Sequence, residues 1–179
     1  MSEALPDEVK YYMPGEPGLG LTAPLVPSVF PGEGTAPITY GGFYIEAMDS
    51  HGGWVSSTVD LLRFMTGVDG RANRPDVLSA GLVAEMTSNG PPLCSGGACY
   101  YACGWVVRPN QGDATWSHGG SLPGTTSTLV RSYHNFSWVA LFNARSPTGN
   151  FDGELEAGLW NALAQVTSFP THDLFSTFP

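Results

Sequence analysis

His118, Gly119, Gly120 and Ser121 stand in one unbroken run, inside the stretch TWSHGGSLPGTTSTLVRSYHNFSWVALFN from Thr115 to Asn143. A histidine can hold or pass a proton near neutral pH. Two glycines directly after a strand residue let another backbone approach closely. The N–H of Ser121 can then point into that gap and hydrogen-bond a developing oxyanion. On this reading His118 and Ser121 are the catalytic candidates, and Gly119 and Gly120 are the substrate-binding ones. A Gly-rich hairpin corner with a partly exposed histidine uses the same residues, and pattern alone leaves both readings open.

Other residue types invite chemistry and have plainer uses. Ser57 and Asp60 form an S-x-x-D capping signature, so Ser57 reads as a helix cap rather than a nucleophile; no basic residue lies near it or Ser56 in sequence. Asp49-Ser50-His51 contains the types of a triad, but neighbours in sequence cannot easily face one another, and a turn before Gly52-Gly53 is the simpler use. Asn135-Phe136-Ser137 is an N-glycosylation sequon, a short pattern that also arises by coincidence. Cys94, Cys99 and Cys103 are an odd set without the paired spacing and fourth donor of a zinc site. They read as a small Cys94–Cys99 disulfide or as reduced thiols, with Cys103 buried in a strand, and no metal is expected.

The elements around the run follow from local pattern. Residues 1–40 are rich in Gly and Pro, keep no helical period and read as an irregular segment, with a short extended piece at Glu8 to Tyr12. A helix begins after Ser57, with Leu61, Leu62, Phe64 and Met65 as its apolar face, and stops at Gly67 or Gly70. A second helix fits Ser79 to Thr87, with Leu78, Leu82, Val83 and Met86 on one side. From Tyr100 to Arg108 the chain is aromatic and β-branched, and Pro109 to Gly112 reads as a turn. Ala114 to His118 is the return strand. Further strands are expected at Thr125 to Tyr133 and from Ser137, about a His134-Asn135-Phe136 turn. Asp152 to Val166 reads as an amphipathic helix with Leu155, Leu159, Ala162, Leu163 and Val166 facing the sheet. Loop, helices, three or four antiparallel strands and a closing helix make an α+β fold. One helix covers only one face of such a sheet, so part of the fold's cover is expected to lie outside this chain.

The 179 residues suffice for a domain with a core. The formal charge is −9, Lys10 is the only lysine, and the arginines form no stripe, which argues against nucleic-acid or anionic-membrane binding. No apolar run approaches the ~20 residues of a membrane span. MSEALPDEVK is polar and acidic, unlike a signal peptide. Either the chain is cytosolic or a targeting segment lies outside it, as in a secreted or periplasmic parent; the compartment stays open.

GGWVSSTVDLLRFM resembles the Gly-Gly-x-x-Ser-x-x-x-Asp-Leu segment of serine β-lactamase-like proteins, a family that includes class C β-lactamases, D-alanyl-D-alanine peptidases and related carboxylesterases. CGWVVR followed by WSHGGSLPGTTSTLVR resembles the terminal sheet of that family, and FNAR with the helix after it also fits. The resemblance covers residues 40–179 and more loosely the start, giving a segment 1–40 and a C-terminal part of the β-lactamase-related domain over 41–179. It implies part of the serine β-lactamase/DD-peptidase fold lacking its N-terminal half. It also implies His118-Gly119-Gly120 as the third family motif, with Ser121 giving one oxyanion N–H.

The resemblance implies acyl transfer on amide or ester bonds of a small molecule or peptide, without cofactor. In that family a serine of Ser-x-x-Lys is acylated. Lys10 follows Asp7, so no such motif occurs here, and Tyr-x-Asn, which precedes this region in the family, is read as absent too. The chain is therefore expected to be inactive alone. It reads as a fragment or one chain of a split enzyme, whose partner is the N-terminal half. The other reading is a non-catalytic peptide-binding or scaffold module.

Overall fold

The computed structural model describes residues 6–13, 24–88, 90–145 and 151–178. Residues 14–23 of the Gly/Pro-rich segment lie outside the described residues. Contacts divide the chain into two compact units. The first is residues 1–54, 121–126 and 142–179; the second is residues 55–120 and 127–141.

In the first unit, β1 (Leu25–Pro27) and β2 (Thr35–Pro37) pair antiparallel, each with a proline at its end. Proline lacks an N–H, so its place is a strand end or an edge. Of the extended piece expected at Glu8 to Tyr12, only Tyr12 pairs, in an isolated bridge with Ala144: its N–H donates to the Asn143 carbonyl at 2.9 Å, and Asn143 Nδ2 donates to the Lys10 carbonyl at 2.9 Å. Burial, then the hydrogen bond to Glu8, pushes the Tyr11 hydroxyl up to about 12. Asp49-Ser50-His51 is a turn, as expected: the N–H of Gly53 donates to the Asp49 carbonyl at 2.8 Å.

The C-terminal helix of this unit, α3, spans Phe151–Ala164, and Phe142 meets Phe151 edge-on with ring centroids 5.0 Å apart. Leu155, Leu159 and Leu163 are half-buried, but Ala162 and Val166 are exposed, so the apolar stripe is narrower than the sequence suggests. Val166 lies past the last helical residue, where the helical period no longer sets its direction.

The second unit holds α1 (Thr58–Thr66) and α2 (Ala80–Met86). Ser57 caps α1 as expected: its Oγ accepts from the Asp60 N–H at 3.1 Å and donates to Asp60 Oδ2 at 2.8 Å. These bonds, and that from Arg63, hold the Asp60 carboxyl below its usual range. Gly67 closes the helix. Ser57→Ala is expected to cost about 1 kcal/mol and Ser57→Thr, which keeps the hydroxyl, far less, read from urea midpoints. Ser79 caps α2 through the Leu82 N–H. Leu82 itself is exposed, against expectation, while Val83 turns into the core. A seven-residue helix is short enough that only one stripe of it needs burial.

The main sheet has five strands rather than three or four, in the order of the chain: β3 (Tyr100–Ala102), β4 (Trp105–Asn110), β5 (Asp113–Leu122), β6 (Thr125–Arg131) and β7 (Ser137–Phe142). The expected strand Tyr100–Arg108 is two strands, because Cys103 and Gly104 form a turn with φ of 44° and 91°. Cys103 is consequently exposed rather than buried. Gln111-Gly112, with φ of 45° and 87°, repeats this geometry, so Pro109 and Asn110 belong to β4 and not to the turn. Positive φ at both central residues gives a turn whose twist matches that of the strands it joins. Cys94 and Cys99 form the disulfide, closing a loop just before β3.

The core of this unit gathers Met65, Val68, Val83, Ala102, Trp105, Val107, Trp116 and Leu129. Phe64 is half in water, yet its ring stacks on Trp105 at 6.4 Å. Trp105 in turn meets Trp116 at 6.3 Å.

Candidate active-site edge

β5 carries every residue of the candidate run. His118, Gly119, Gly120 and Ser121 are strand residues, all exposed, and not a hairpin corner. The corner comes after them at Pro123-Gly124, where Gly124 has φ +84°. A Cβ on Gly124 would lie 2.6 Å from Thr39 Cγ2 and 2.8 Å from Tyr11 Cβ, so both space and backbone require glycine there.

The hairpins at the two ends of β5 fix where its backbone groups point. Asn110 faces Asp113 across the Gln111-Gly112 turn, and the pairing runs on to Val106 opposite Ser117. Residues facing each other across a two-residue turn exchange both hydrogen bonds, and alternate residues do so thereafter. Odd-numbered residues of β5 therefore direct N–H and C=O toward the β4 side, and even-numbered ones toward β6. At the other hairpin Leu122 and Thr125 flank Pro123-Gly124, which gives the same assignment. Beyond His118, β5 outruns β4, whose first residue is Trp105. The Gly119 and Ser121 amides thus point to the side where β4 has no residue left to receive them. This is the open strand edge that an oxyanion donor requires.

Side chains alternate across the strand as well. Trp116 is buried in the core, and His118 and Gly120 share its face. A Cβ on Gly120 would lie 2.6 Å from Ser127 Oγ across the strand pair, so the glycine leaves room for the Ser127 hydroxyl on that face. The His118 ring turns toward the Cys103-Gly104 turn, where Nδ1 lies 2.5 Å from the Gly104 carbonyl oxygen. On the opposite face Ser117 Oγ accepts from Arg108 Nη1 at 3.0 Å.

The sequence reading missed Gly104 because its contribution is a backbone carbonyl. Its one signal was a glycine interrupting an apolar β run. A second correction concerns Tyr-x-Asn, for the triplet does occur, at Tyr133-His134-Asn135. It lies after the edge motif in the chain, not before it, and forms the turn between β6 and β7. Asn135 has φ 65°, and the Ser132 N–H donates to the Phe136 carbonyl at 2.8 Å across the turn. A turn role accounts for all three residues. Ser57 caps α1, Ser56 before it donates its hydroxyl to the Ser57 carbonyl, and no group of metal-ligating side chains occurs among the described residues.

The architecture is α+β, with antiparallel sheet strands and a C-terminal helix. It is part of the serine β-lactamase/DD-peptidase fold. The Beta-lactamase family model matches residues 4–159, and the chain belongs to that family. A solved structure of a D-amino acid amidase from Ochrobactrum anthropi SV3, complexed with D-phenylalanine, shares the fold with a TM-score of 0.56 at 19% identity. The match covers 92% of this chain and 47% of that one, so the chain spans about half the length of that amidase. Among curated proteins, none matches. No helix among the described residues is long and apolar enough to cross a membrane.

Proposed function

We propose that this chain is the C-terminal portion of a serine hydrolase that transfers acyl groups from amide or ester bonds, and that it supplies one wall of the active site. The open edge of β5 carries the reading: Ser121 presents an N–H past the end of β4, with His118 a few residues before it on the same strand. Ser121 donates to the carbonyl oxygen of the substrate as it becomes an oxyanion. His118 handles a proton or developing charge at the same edge, and Gly119 and Gly120 let the substrate lie close to the strand. The nucleophile comes from a segment bearing Ser-x-x-Lys, which these residues do not contain. The substrate is a small molecule or peptide with a carbonyl acyl group.

The test is to supply the missing half. Mixed or co-expressed with an N-terminal half of a family member that carries Ser-x-x-Lys, the chain is expected to gain p-nitrophenyl ester turnover. In that complex Ser121→Ala should keep most of the rate, because it keeps the N–H. Ser121→Pro should lose about 10²–10³-fold, because it removes the donor. Equal rates for the two variants would refute the role given to this amide.

A further inference from the structure

We propose that Gly104 is a positioning residue, whose carbonyl fixes the neutral His118 ring with its proton on Nδ1 and so leaves Nε2 bare. A carbonyl oxygen can only accept, so the Nδ1···O contact of 2.5 Å requires the hydrogen on Nδ1. In a neutral imidazole the other nitrogen is then an acceptor. In that neutral form His118 meets a substrate or a catalytic hydroxyl as a lone pair that takes an N–H or O–H, and not as a donor.

The turn is built to aim this carbonyl. Cys103 and Gly104 both take positive φ, at 44° and 91°, and Ala102 pairs with Trp105 directly across them. The turn is thereby locked to the edge from which His118 projects, since Val106 of the same strand faces Ser117. Nothing lies within 4 Å of a Cβ added at Gly104. The glycine is needed there for its backbone angle alone, and that angle aims the carbonyl. The assignment of the proton stands on this geometry. Its bearing on catalysis rests on the function proposed above.

Nitrogen-15 NMR of the His118 ring in the full chain, at a pH where the ring is neutral, tests the proposal without any hydrolysis. The expected result is a proton-bearing Nδ1, a bare Nε2, and a coupling across the hydrogen bond from Nδ1 to the Gly104 carbonyl carbon. A proton on Nε2, or a bare Nδ1, would overturn it, as would the lack of that coupling. Gly104→Ala strains the positive φ without a clash, and it should shift the ring toward the Nε2–H form. An unchanged pattern in a folded variant would remove Gly104 from the role. A failed complementation with Ser-x-x-Lys would leave these signals as they are, so the two readings fail separately.

Discussion

Purified alone, the chain is expected to hydrolyse neither nitrocefin nor p-nitrophenyl esters above the uncatalysed rate. Nucleophilic catalysis needs a hydroxyl with a base in reach to take its proton. Lys10 is the only lysine, and the residue three before it is Asp7, so no serine has a lysine one helical turn ahead. The serines nearest to helix starts are already engaged: Ser57 bonds Asp60, and Ser79 accepts from Leu82. When a hydrolase loses its nucleophile the rate falls by about six orders of magnitude, and only oxyanion and binding contributions remain. On the proposed function even the oxyanion contribution would be halved, because the second donor would belong to the nucleophile itself. In the complemented enzyme His118→Ala should lose about 10²–10⁴-fold, the usual range for a group that handles a proton in the transition state. Steady-state rates on both substrates, for the chain alone and for the complex, check these values.

Arg131→Ala is expected to destabilise the second unit by about 2–4 kcal/mol. Arg131 is 6% exposed, and its Nε and Nη1 are hydrogen-bonded. Its guanidinium lies 4.6 Å over the Trp116 ring. Its Nη1 donates to Asp113 Oδ1 at 2.6 Å and to the Ala114 carbonyl at 2.8 Å, and its Nε donates to the Asp69 carbonyl at 3.2 Å. The side chain of Asp113 is 42% exposed, so water screens the purely ionic part. The cost comes mainly from the buried carbonyls left without a donor and from the lost contact with the indole face. Burial, and then the nearby charge of Arg131, lower the affinity of Arg71 for a proton, so a single removed charge also relieves some repulsion and trims the cost. By contrast Arg63 pairs with Asp60 on an exposed helix face, and Arg63→Ala should change stability by no more than about 0.5 kcal/mol. Urea midpoints for the two variants separate these cases. A loss below about 1 kcal/mol for Arg131→Ala would contradict the packing described.

What the sequence told in advance was what short-range chemistry decides. Ser57 announced its helix because a cap depends on a few neighbouring residues. The order of strands and the edge motif were legible because β-branched runs and His118-Gly119-Gly120 are contiguous. Longer-range features were not. YYACGWVVR reads as one strand, since cysteine carries no mark of left-handed backbone, and only the pairing of Ala102 with Trp105 reveals the turn. Nothing local marks Arg131 as buried, because Trp116 and Asp113 reach it from the neighbouring strand. The placement of Ser121 beyond β4 depends on the turns at Cys103-Gly104 and Gln111-Gly112; the first reads as continuous strand and the second as the longer turn Pro109 to Gly112. The Gly104 carbonyl has no letter of its own.

Intact-mass spectrometry of the isolated chain after incubation with a fluorophosphonate or with benzylpenicillin asks the central question directly. The account predicts an unchanged mass, with labelling appearing only on the Ser-x-x-Lys partner once the two halves are combined. A covalent adduct on a serine of these 179 residues, lost in His118→Ala, would show that the chain holds a complete site and would contradict it.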